Sequence, residues 1–418
     1  MESSDRGYRL RSYILAISGS VLALGALCIG AALWLFVLVD PAVFAGEGVL
    51  TDPIQISLLA SSLVTIGGLL VPAVVLSVRH LLGRPQSTLT LRGLRWWEWI
   101  LLPIAWIGIL ILATALFNNE IALWAIPVLQ ALGVLLPIYV FIRVAAAGIE
   151  LGSHQHAWGA FASGMTLSPI LSAIIEIFLV ALLILGIGVY LALNPQAYDA
   201  ALSLVQRLER ASNLEQIVIL LGPLLNNPLV LFGALFYFSI LTPLIEEPVK
   251  SIGVWLGADR LRTPAQGFAL GALCGAGFAV VESMFATFSP DQSWGVTFLT
   301  RSASGLMHIA ASGLIGWGVA RAGLSRRHLP LIGAYALGIA IHGLWNGAAI
   351  SIVAGGMRIA LNAVTREIDF FGIFMALGGM GLLFVMILAI VVFLPVFNHQ
   401  LRKRASDEAS RARDAAAV

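Results

Sequence analysis

The C-terminal half of this sequence places ionisable and amide side chains inside stretches that are otherwise apolar. These side chains are of the types that move protons or bind metal ions. The set is Glu246, Glu247, Lys250, Glu282, Arg301, His308, His342 and Asn346. A charged side chain at bilayer depth is costly, so residues of this kind are usually paired and functional. The set therefore marks a candidate site.

The spacing indicates that these polar side chains share helix faces. Three pairs are separated by four or seven residues, which is about one or two turns of an α-helix. The pairs are Glu246 and Lys250, Arg301 and His308, and His342 and Asn346. Facing all of them into one cavity lets them satisfy one another, whereas separate burial would leave each without a partner. We therefore predict a single intramembrane polar site.

The residue types suit chemistry on an activated water molecule. Adjacent carboxylates raise each other's proton affinity, so one of Glu246 and Glu247 is expected to be neutral and the other ionised. The ionised one could act as a general base on water. His308 and His342 could hold a metal, donate to an oxyanion or orient the water. Asn346 offers an amide N–H of the kind that stabilises a developing oxyanion.

The residues alone leave the question of a metal open. The zinc protease motif HExxH is absent from the sequence. A catalytic Zn²⁺ needs about three protein ligands plus water. His308 and His342, with one of Glu246, Glu247 or Glu282, could supply them, and we place Glu282 in the provisional ligand set. A metal-free scheme, in which a glutamate activates water, needs the same residues.

Four motifs, in order on successive apolar stretches, resemble those of the PrsW family of intramembrane proteases. They are Glu246-Glu247-x-x-Lys250, Phe278-x-x-x-Glu282, Arg301 with His308, and His342-x-x-Trp345-Asn346. The motifs are similar, more distantly, to those of CAAX prenyl endopeptidases and bacteriocin-processing enzymes. They cover about a quarter of the chain.

The resemblance implies an intramembrane endopeptidase of metalloprotease type that hydrolyses a peptide bond of a membrane-associated protein. Glu246 and Glu247 would be the catalytic acidic pair, completed by three further residues of the site. Those residues are His308, His342 and Asn346, with Lys250, Glu282 and Arg301 in support. The implied substrate is a membrane-spanning protein, of which an anti-sigma factor is the example.

The elements that must position this site are transmembrane helices. Hydrophobic residues make up 59% of the 418 residues and charged residues only 11%, against roughly 25% in soluble domains. Apolar runs of about 20 residues, the length that crosses a bilayer, predict ten spans. They are about 12–39, 55–78, 98–117, 120–142, 168–193, 229–256, 264–288, 301–321, 330–353 and 369–395. The fold class is therefore all-α, a polytopic transmembrane helical bundle in the plasma membrane.

The distribution of basic residues predicts that both termini are cytoplasmic. Arginines precede span one and follow spans two, four, six and eight, whereas the alternate loops have mixed charge or none that is positive. The acidic residues of the positive-free loops are Asp40, Glu47, Asp52 and Glu120. Both cysteines, Cys28 and Cys274, lie inside spans, so we expect neither a disulfide framework nor a thiol metal site.

Along the chain, we predict two five-span regions with different tasks. Residues 1–195 form an N-terminal membrane region, and 196–228 form an amphipathic extracytoplasmic segment. Residues 229–395 form the catalytic region, and 396–418 form a cytoplasmic tail. In the second half, Gly267, Gly271 and Gly275 form a small-residue ridge that lets another helix approach closely.

A proton- or ion-coupled transporter is the alternative function, because intramembrane Glu and His residues can also form a relay. Transporters often carry matching features in both halves, and the first half has no counterparts to the Glu and His positions. We therefore favour the enzyme, with the lipid bilayer and a membrane protein as partners and no nucleic acid. The loop pair His154 and His156 predicts no site.

Overall fold

The structure is a computed structural model that describes residues 2–39, 52–117, 119, 121–288, 294–365 and 368–416. Nearly all of these residues are helical, and ten helices among them are long and apolar enough to cross a membrane. The prediction of an all-α, multi-pass membrane protein is confirmed. Asp40, Glu47 and Glu120, which belong to predicted outer loops, lie outside the described residues.

Fifteen α-helices follow one another along the described part of the chain. They are α1 (Glu2–Val39), α2 (Pro53–Leu81), α3 (Glu98–Leu116), α4 (Ala122–Ala145), α5 (His154–Met165), α6 (Leu167–Leu193), α7 (Pro195–Glu209), α8 (Leu214–Leu225), α9 (Pro228–Phe236), α10 (Thr242–Lys250), α11 (Ile252–Leu256), α12 (Pro264–Ala286), α13 (Trp294–Ser325), α14 (Leu329–Thr365) and α15 (Phe370–Ala416).

The sixth predicted span, 229–256, is not one continuous α-helix. A π-helical turn, Tyr237–Leu241, separates α9 from α10, and α10 ends at Lys250 before the short helix α11. Pro248 lies inside α10 and has no backbone N–H to donate to the preceding turn. The segment that carries the two adjacent glutamates is therefore irregular on both sides.

A small antiparallel sheet was not predicted. Its strands, β1 (Thr88–Thr90) and β2 (Glu150–Ser153), pair Thr88 with Ser153 and Thr90 with Glu150. The strands are three and four residues long, too short for the alternation of apolar and polar residues to reveal them. They join the connection between α2 and α3 to that between α4 and α5.

Contacts divide the chain into two compact units. The first unit is Met1–Pro169, Glu247–Gly338 and Ile390–Val418, and the second is Ile170–Glu246 and Ile339–Ala389. In the first unit, α12 and α13 are buried along most of their length and form the core. The apolar side chains exposed on α3, such as Ile104 and Ile111, are those expected to face lipid.

The glycine ridge of α12 allows the close approach that its spacing predicts. A Cβ added at Gly267 would lie 2.4 Å from the carbonyl oxygen of Gly316 on α13. The corresponding distance is 2.3 Å from Gly271 to Ser312 O, and 2.3 Å from Gly275 to His308 O. These contacts leave no room for a methyl group, so the ridge sets the depth at which His308 sits beside α12.

Gly275→Ala is therefore expected to destabilise the first unit by about 1–3 kcal/mol, because the backbone of α13 must move away at His308. Gly323→Ala is the matched control, since nothing lies within 4 Å of a Cβ at that position of α13. Thermal unfolding of both variants in detergent measures the difference. Equal melting temperatures would contradict the close approach.

Contacts within the first unit also test the prediction that successive loops lie on alternate sides of the membrane. Arg11, before the apolar part of α1, forms an ion pair of 2.8 Å with Asp259, after α11. In α15, just past the predicted end of span ten, the Asn398 side chain donates to the carbonyl oxygens of Ala145 and Ala147, at 2.8 and 3.1 Å. Segments predicted to share one side of the membrane thus contact one another. The assignment of that side to the cytoplasm stays a prediction.

In the second unit, Asp369 anchors the start of α15 to the end of α14. One carboxylate oxygen accepts from the backbone N–H of Gly372 at 2.9 Å, and the other pairs with Arg358 at 2.9 Å and Asn362 at 3.0 Å. The Gly372 hydrogen bond and the Arg358 charge outweigh desolvation and hold the pKa of Asp369 below its ordinary value of 3.8.

This lowered pKa predicts a pH-dependent contribution to stability. A carboxyl with a depressed folded-state pKa stabilises above its unfolded-state value, and the stabilisation is lost as the pH falls towards the folded-state value. Wild type should therefore melt higher than Asp369→Asn between pH 7 and about pH 5, and the gap should narrow as the pH falls further towards the folded-state pKa. A gap that stays constant as the pH falls further would contradict the ion-pair explanation.

Candidate active site

In the first unit, the last turn of α10 supplies a buried ion pair. Lys250 and Glu247 are both fully buried, and the Lys250 ammonium donates to Oε1 of Glu247 at 2.9 Å. The spacing of four had placed Glu246 on the same helix face as Lys250, and the ion pair that the structure shows is with its neighbour Glu247. Residues three and four apart are both neighbours on a helix, and the packing around Lys250 selects Glu247.

His308 of α13 lies on the other side of the same ammonium. Its Nδ1 is 3.0 Å from Lys250 Nζ, which also stands 4.6 Å from the centre of the Phe278 ring of α12. The rings of Phe278 and His308 meet edge to face at 5.3 Å. A desolvated ammonium is stabilised by an aromatic face, so three helices together hold Lys250 in place.

The remaining nitrogen of His308 engages Glu282. Because Nδ1 faces the ammonium, a pure donor, it must be the accepting nitrogen, and Nε2 carries the proton. Nε2 is 2.8 Å from Oε2 of Glu282, and Arg301 contacts the same oxygen at 2.6 Å. Arg301 is therefore bound into the network rather than only extended towards the interface. The chain of contacts runs from Glu247 to Arg301 without a break.

The second unit holds another polar group. His342 of α14 is buried, and its Nε2 lies 3.9 Å from Oε2 of Glu246. Asn346, one turn later, places its amide nitrogen 3.2 Å from the same Nε2 and donates to the carbonyl oxygen of Phe238 at 2.8 Å. The two amide hydrogens thus have partners in this structure. This geometry supports a role for Asn346 in orienting His342 rather than in binding an oxyanion.

The π-helical turn explains how Asn346 finds that carbonyl. A π-turn widens the helix and is frequent at functional sites, and this one contains Phe238 and Ser239. Gly343 packs directly on it, because a Cβ at Gly343 would lie 2.1 Å from the Ser239 carbonyl oxygen. The sequence analysis did not predict this turn. The sequence feature that could have indicated it is the glycine directly after His342.

All eight residues singled out in the sequence are therefore engaged in polar contacts, divided between the two units. Glu247, Lys250, Glu282, Arg301 and His308 belong to the first network. Glu246, His342 and Asn346 belong to the second. The sequence reasoning missed Gly338 of α14, where an added Cβ would lie 3.7 Å from Oε2 of Glu247.

Metal-binding donor atoms are also present in the buried part of these networks. Glu247, His308 and His342 are all buried, and each offers one carboxylate oxygen or imidazole nitrogen of the kind that binds a metal ion. These donor types are those of a catalytic zinc. Glu282, by contrast, already directs one oxygen to both Arg301 and His308.

The fold and these networks define the class as a multi-pass helical membrane protein with adjacent carboxylates beside buried histidines. The model of the PrsW family intramembrane metalloproteases matches residues 152–397, which is more than half of the chain. The chain belongs to this family, as the motifs had indicated. No curated protein and no solved structure matches it. It is accordingly an intramembrane protease of the lipid bilayer that acts on a membrane protein substrate.

Proposed function

We propose that the chain hydrolyses a peptide bond of a membrane-spanning protein with a water molecule activated by Glu246. One observation carries the proposal: two consecutive glutamates each lie near a buried histidine, one directly and one through Lys250. Glu246 lies 3.9 Å from His342, and Glu247 is joined to His308 through Lys250. Carboxylate and imidazole are the side chains that most often act as general bases on water.

The two glutamates differ in exposure, and this difference assigns their roles. The Glu246 side chain keeps 14% of its surface accessible, whereas that of Glu247 has none. A base that takes a proton from water must be reached by water, so Glu246 is the better candidate. Glu247, whose charge is compensated by Lys250, is the structural or ligating carboxylate.

The donor atoms of Glu247, His308 and His342 fit the divalent metal that the family name implies. A carboxylate and two imidazoles leave one position of a four-coordinate zinc for water. A bound zinc would lower the pKa of that water and polarise the scissile carbonyl. Glu282 would then serve His308 as an outer partner, because a ligating histidine usually donates its other N–H to a carboxylate.

Lys250 places a condition on metal binding. Its ammonium donates to Glu247 Oε1 and to His308 Nδ1, and His308 Nδ1 has a single lone pair. A metal ion and Lys250 therefore compete for the same nitrogen. Binding through that atom requires the ammonium to move away.

The substrate class that we propose is a protein with a single membrane span. A membrane-anchored anti-sigma factor is the example that the resemblance to the family implies. Glu246 would act on the water, while Asn346 would orient the ring of His342. We place this chemistry at the depth of the π-helical turn and the last turns of α10.

Reconstitution in liposomes with a panel of single-span substrates tests the function. Wild type should cleave at least one of them, and Glu246→Gln should lower the rate about 100-fold or more. Glu209→Gln, an exposed glutamate at the end of α7, is the matched control and should cleave normally. Metal content and thermal unfolding are measured on the same samples.

Two results would overturn the proposal. One is cleavage by Glu246→Gln at the rate of wild type, which would show that Glu246 is not the general base. The other is the absence of cleavage together with a proton flux across the liposome membrane that depends on Glu246, which would establish the transporter alternative.

A further inference from the structure

Two adjoining cavities lie in the first unit, away from the networks described above. The first has a volume of about 150 Å³, and its walls are mainly apolar, with Ile14, Leu15 and Leu167 among them. The second has a volume of about 470 Å³ and mainly polar walls. His156 and Arg260 line both cavities, so an apolar space and a polar space share one boundary.

The polar cavity carries an excess of positive charge. Among the described residues that line it, three are arginines, Arg84, Arg260 and Arg262, and one is acidic, Glu150. The apolar cavity adds Arg11, whose charge is balanced by Asp259 at 2.8 Å. A basic space of this kind is suited to a phosphate group.

His156 provides a second, independent sign of a ligand. Its Nε2 is buried and has no hydrogen-bond partner among the described residues. A buried polar atom without a hydrogen-bond partner is unfavourable in a folded protein. Gly257 lies beside this atom, since a Cβ at Gly257 would be 2.8 Å from Nε2. His156, for which the sequence predicted no site, lies in α5 at the boundary of the two cavities.

The position in the fold restricts the source of the phosphate. The cavities lie where α1 begins and where α2 and α11 end, on the side that the arginine distribution predicts to be cytoplasmic. Basic pockets between transmembrane helices on that side attract anionic lipid headgroups. A soluble phosphate compound would occupy the polar cavity alone, whereas a phospholipid would occupy both cavities.

We propose that these two cavities form a binding site for one anionic phospholipid. The phosphate would lie in the polar cavity between Arg84, Arg260 and Arg262, with His156 at the boundary to the apolar cavity. The first methylene groups of an acyl chain would lie in the apolar cavity beside Leu15. The site is separate from the proposed catalytic residues and does not depend on the protease assignment.

The test measures the phospholipid that stays bound to the full-length protein. The protein is reconstituted in vesicles of equal parts phosphatidylglycerol and phosphatidylcholine, extracted in mild detergent and examined by native mass spectrometry. Wild type should retain one phosphatidylglycerol in preference to phosphatidylcholine. Arg84→Gln/Arg262→Gln should retain it about 30-fold less well, since each cation near an anionic headgroup contributes about a fivefold effect.

A second variant tests the apolar cavity without changing charge. Gly159 lines that cavity, and a Cβ there would make only ordinary contact with Leu15, at 3.4 Å. Gly159→Leu should fill the space and reduce phosphatidylglycerol retention at least about fivefold. Gly108→Leu is its control, because nothing lies within 4 Å of a Cβ at Gly108. Thermal unfolding confirms that each variant is folded.

The controls make the outcome decisive. Arg327→Gln/Lys403→Gln removes two exposed cations outside both cavities and should leave retention unchanged. Equal loss in this control would show general charge attraction and overturn the site. Glycerol 3-phosphate would overturn the lipid assignment in favour of a soluble phosphate if it raised the thermal unfolding temperature as much as phosphatidylglycerol does. In that case Gly159→Leu would also retain phosphatidylglycerol normally.

Discussion

Glu247→Gln is expected to lower the rate of substrate cleavage at least about 100-fold, because the proposed ligating carboxylate is lost, and to destabilise the protein. The amide keeps the shape of the side chain but loses the charge that faces Lys250, whose side chain is fully buried. Removing one partner of a buried ion pair costs about 3–5 kcal/mol, because the other charge stays without compensation. Cleavage in liposomes and thermal unfolding in detergent measure the two effects.

A double variant separates the loss of chemistry from the loss of fold. Glu247→Gln/Lys250→Met removes both charges, and replacing a buried pair by groups of similar volume is often close to neutral. It should therefore regain most of the lost stability and still fail to cleave. Recovery of cleavage together with stability would contradict a role for Glu247 beyond that of balancing Lys250.

Lys250→Met alone is expected to make the stability of the protein strongly dependent on a divalent metal. Without the ammonium, Oε1 of Glu247 and Nδ1 of His308 both lose the donor that Lys250 supplies. The metal-free variant should lose about 3–5 kcal/mol of stability. Zn²⁺ at 1,000 times its dissociation constant should restore about 4 kcal/mol.

The comparison with wild type tests whether Lys250 and a metal compete. Zn²⁺ should raise the melting temperature of wild type much less than that of Lys250→Met, because in wild type the ion must displace the ammonium. The double variant with Glu247→Gln should respond weakly, since a ligand is missing. An equal response of all three proteins would contradict the proposed ligand set.

Much of the architecture was predictable because the bilayer imposes simple requirements. A helix must be about 20 apolar residues long to span the hydrocarbon core, so the ten spans are visible in the sequence. The ridge of Gly267, Gly271 and Gly275 was readable for a related reason. Helices in lipid approach closely where side chains are small, and the carbonyl contacts of α13 at this ridge agree with it.

Features that depend on short or distant contacts were not predictable. The β1–β2 pairing involves strands too short to have a period, and its partners are more than 50 residues apart in the chain. The π-helical turn, Tyr237–Leu241, has no composition that distinguishes it from the α-helix around it. His156 gained its importance only through the cavities that other segments form around it.

The sequence by itself determined which residues belong to the candidate site, because eight polar side chains within apolar spans need partners and have few alternatives in lipid. Only the tertiary structure decided how they pair. Residues three and four apart are equally near on a helix, so spacing could not choose between Glu246 and Glu247 as the partner of Lys250. In the structure Lys250 contacts Glu247 and His308 of α13, and Glu246 lies 3.9 Å from His342.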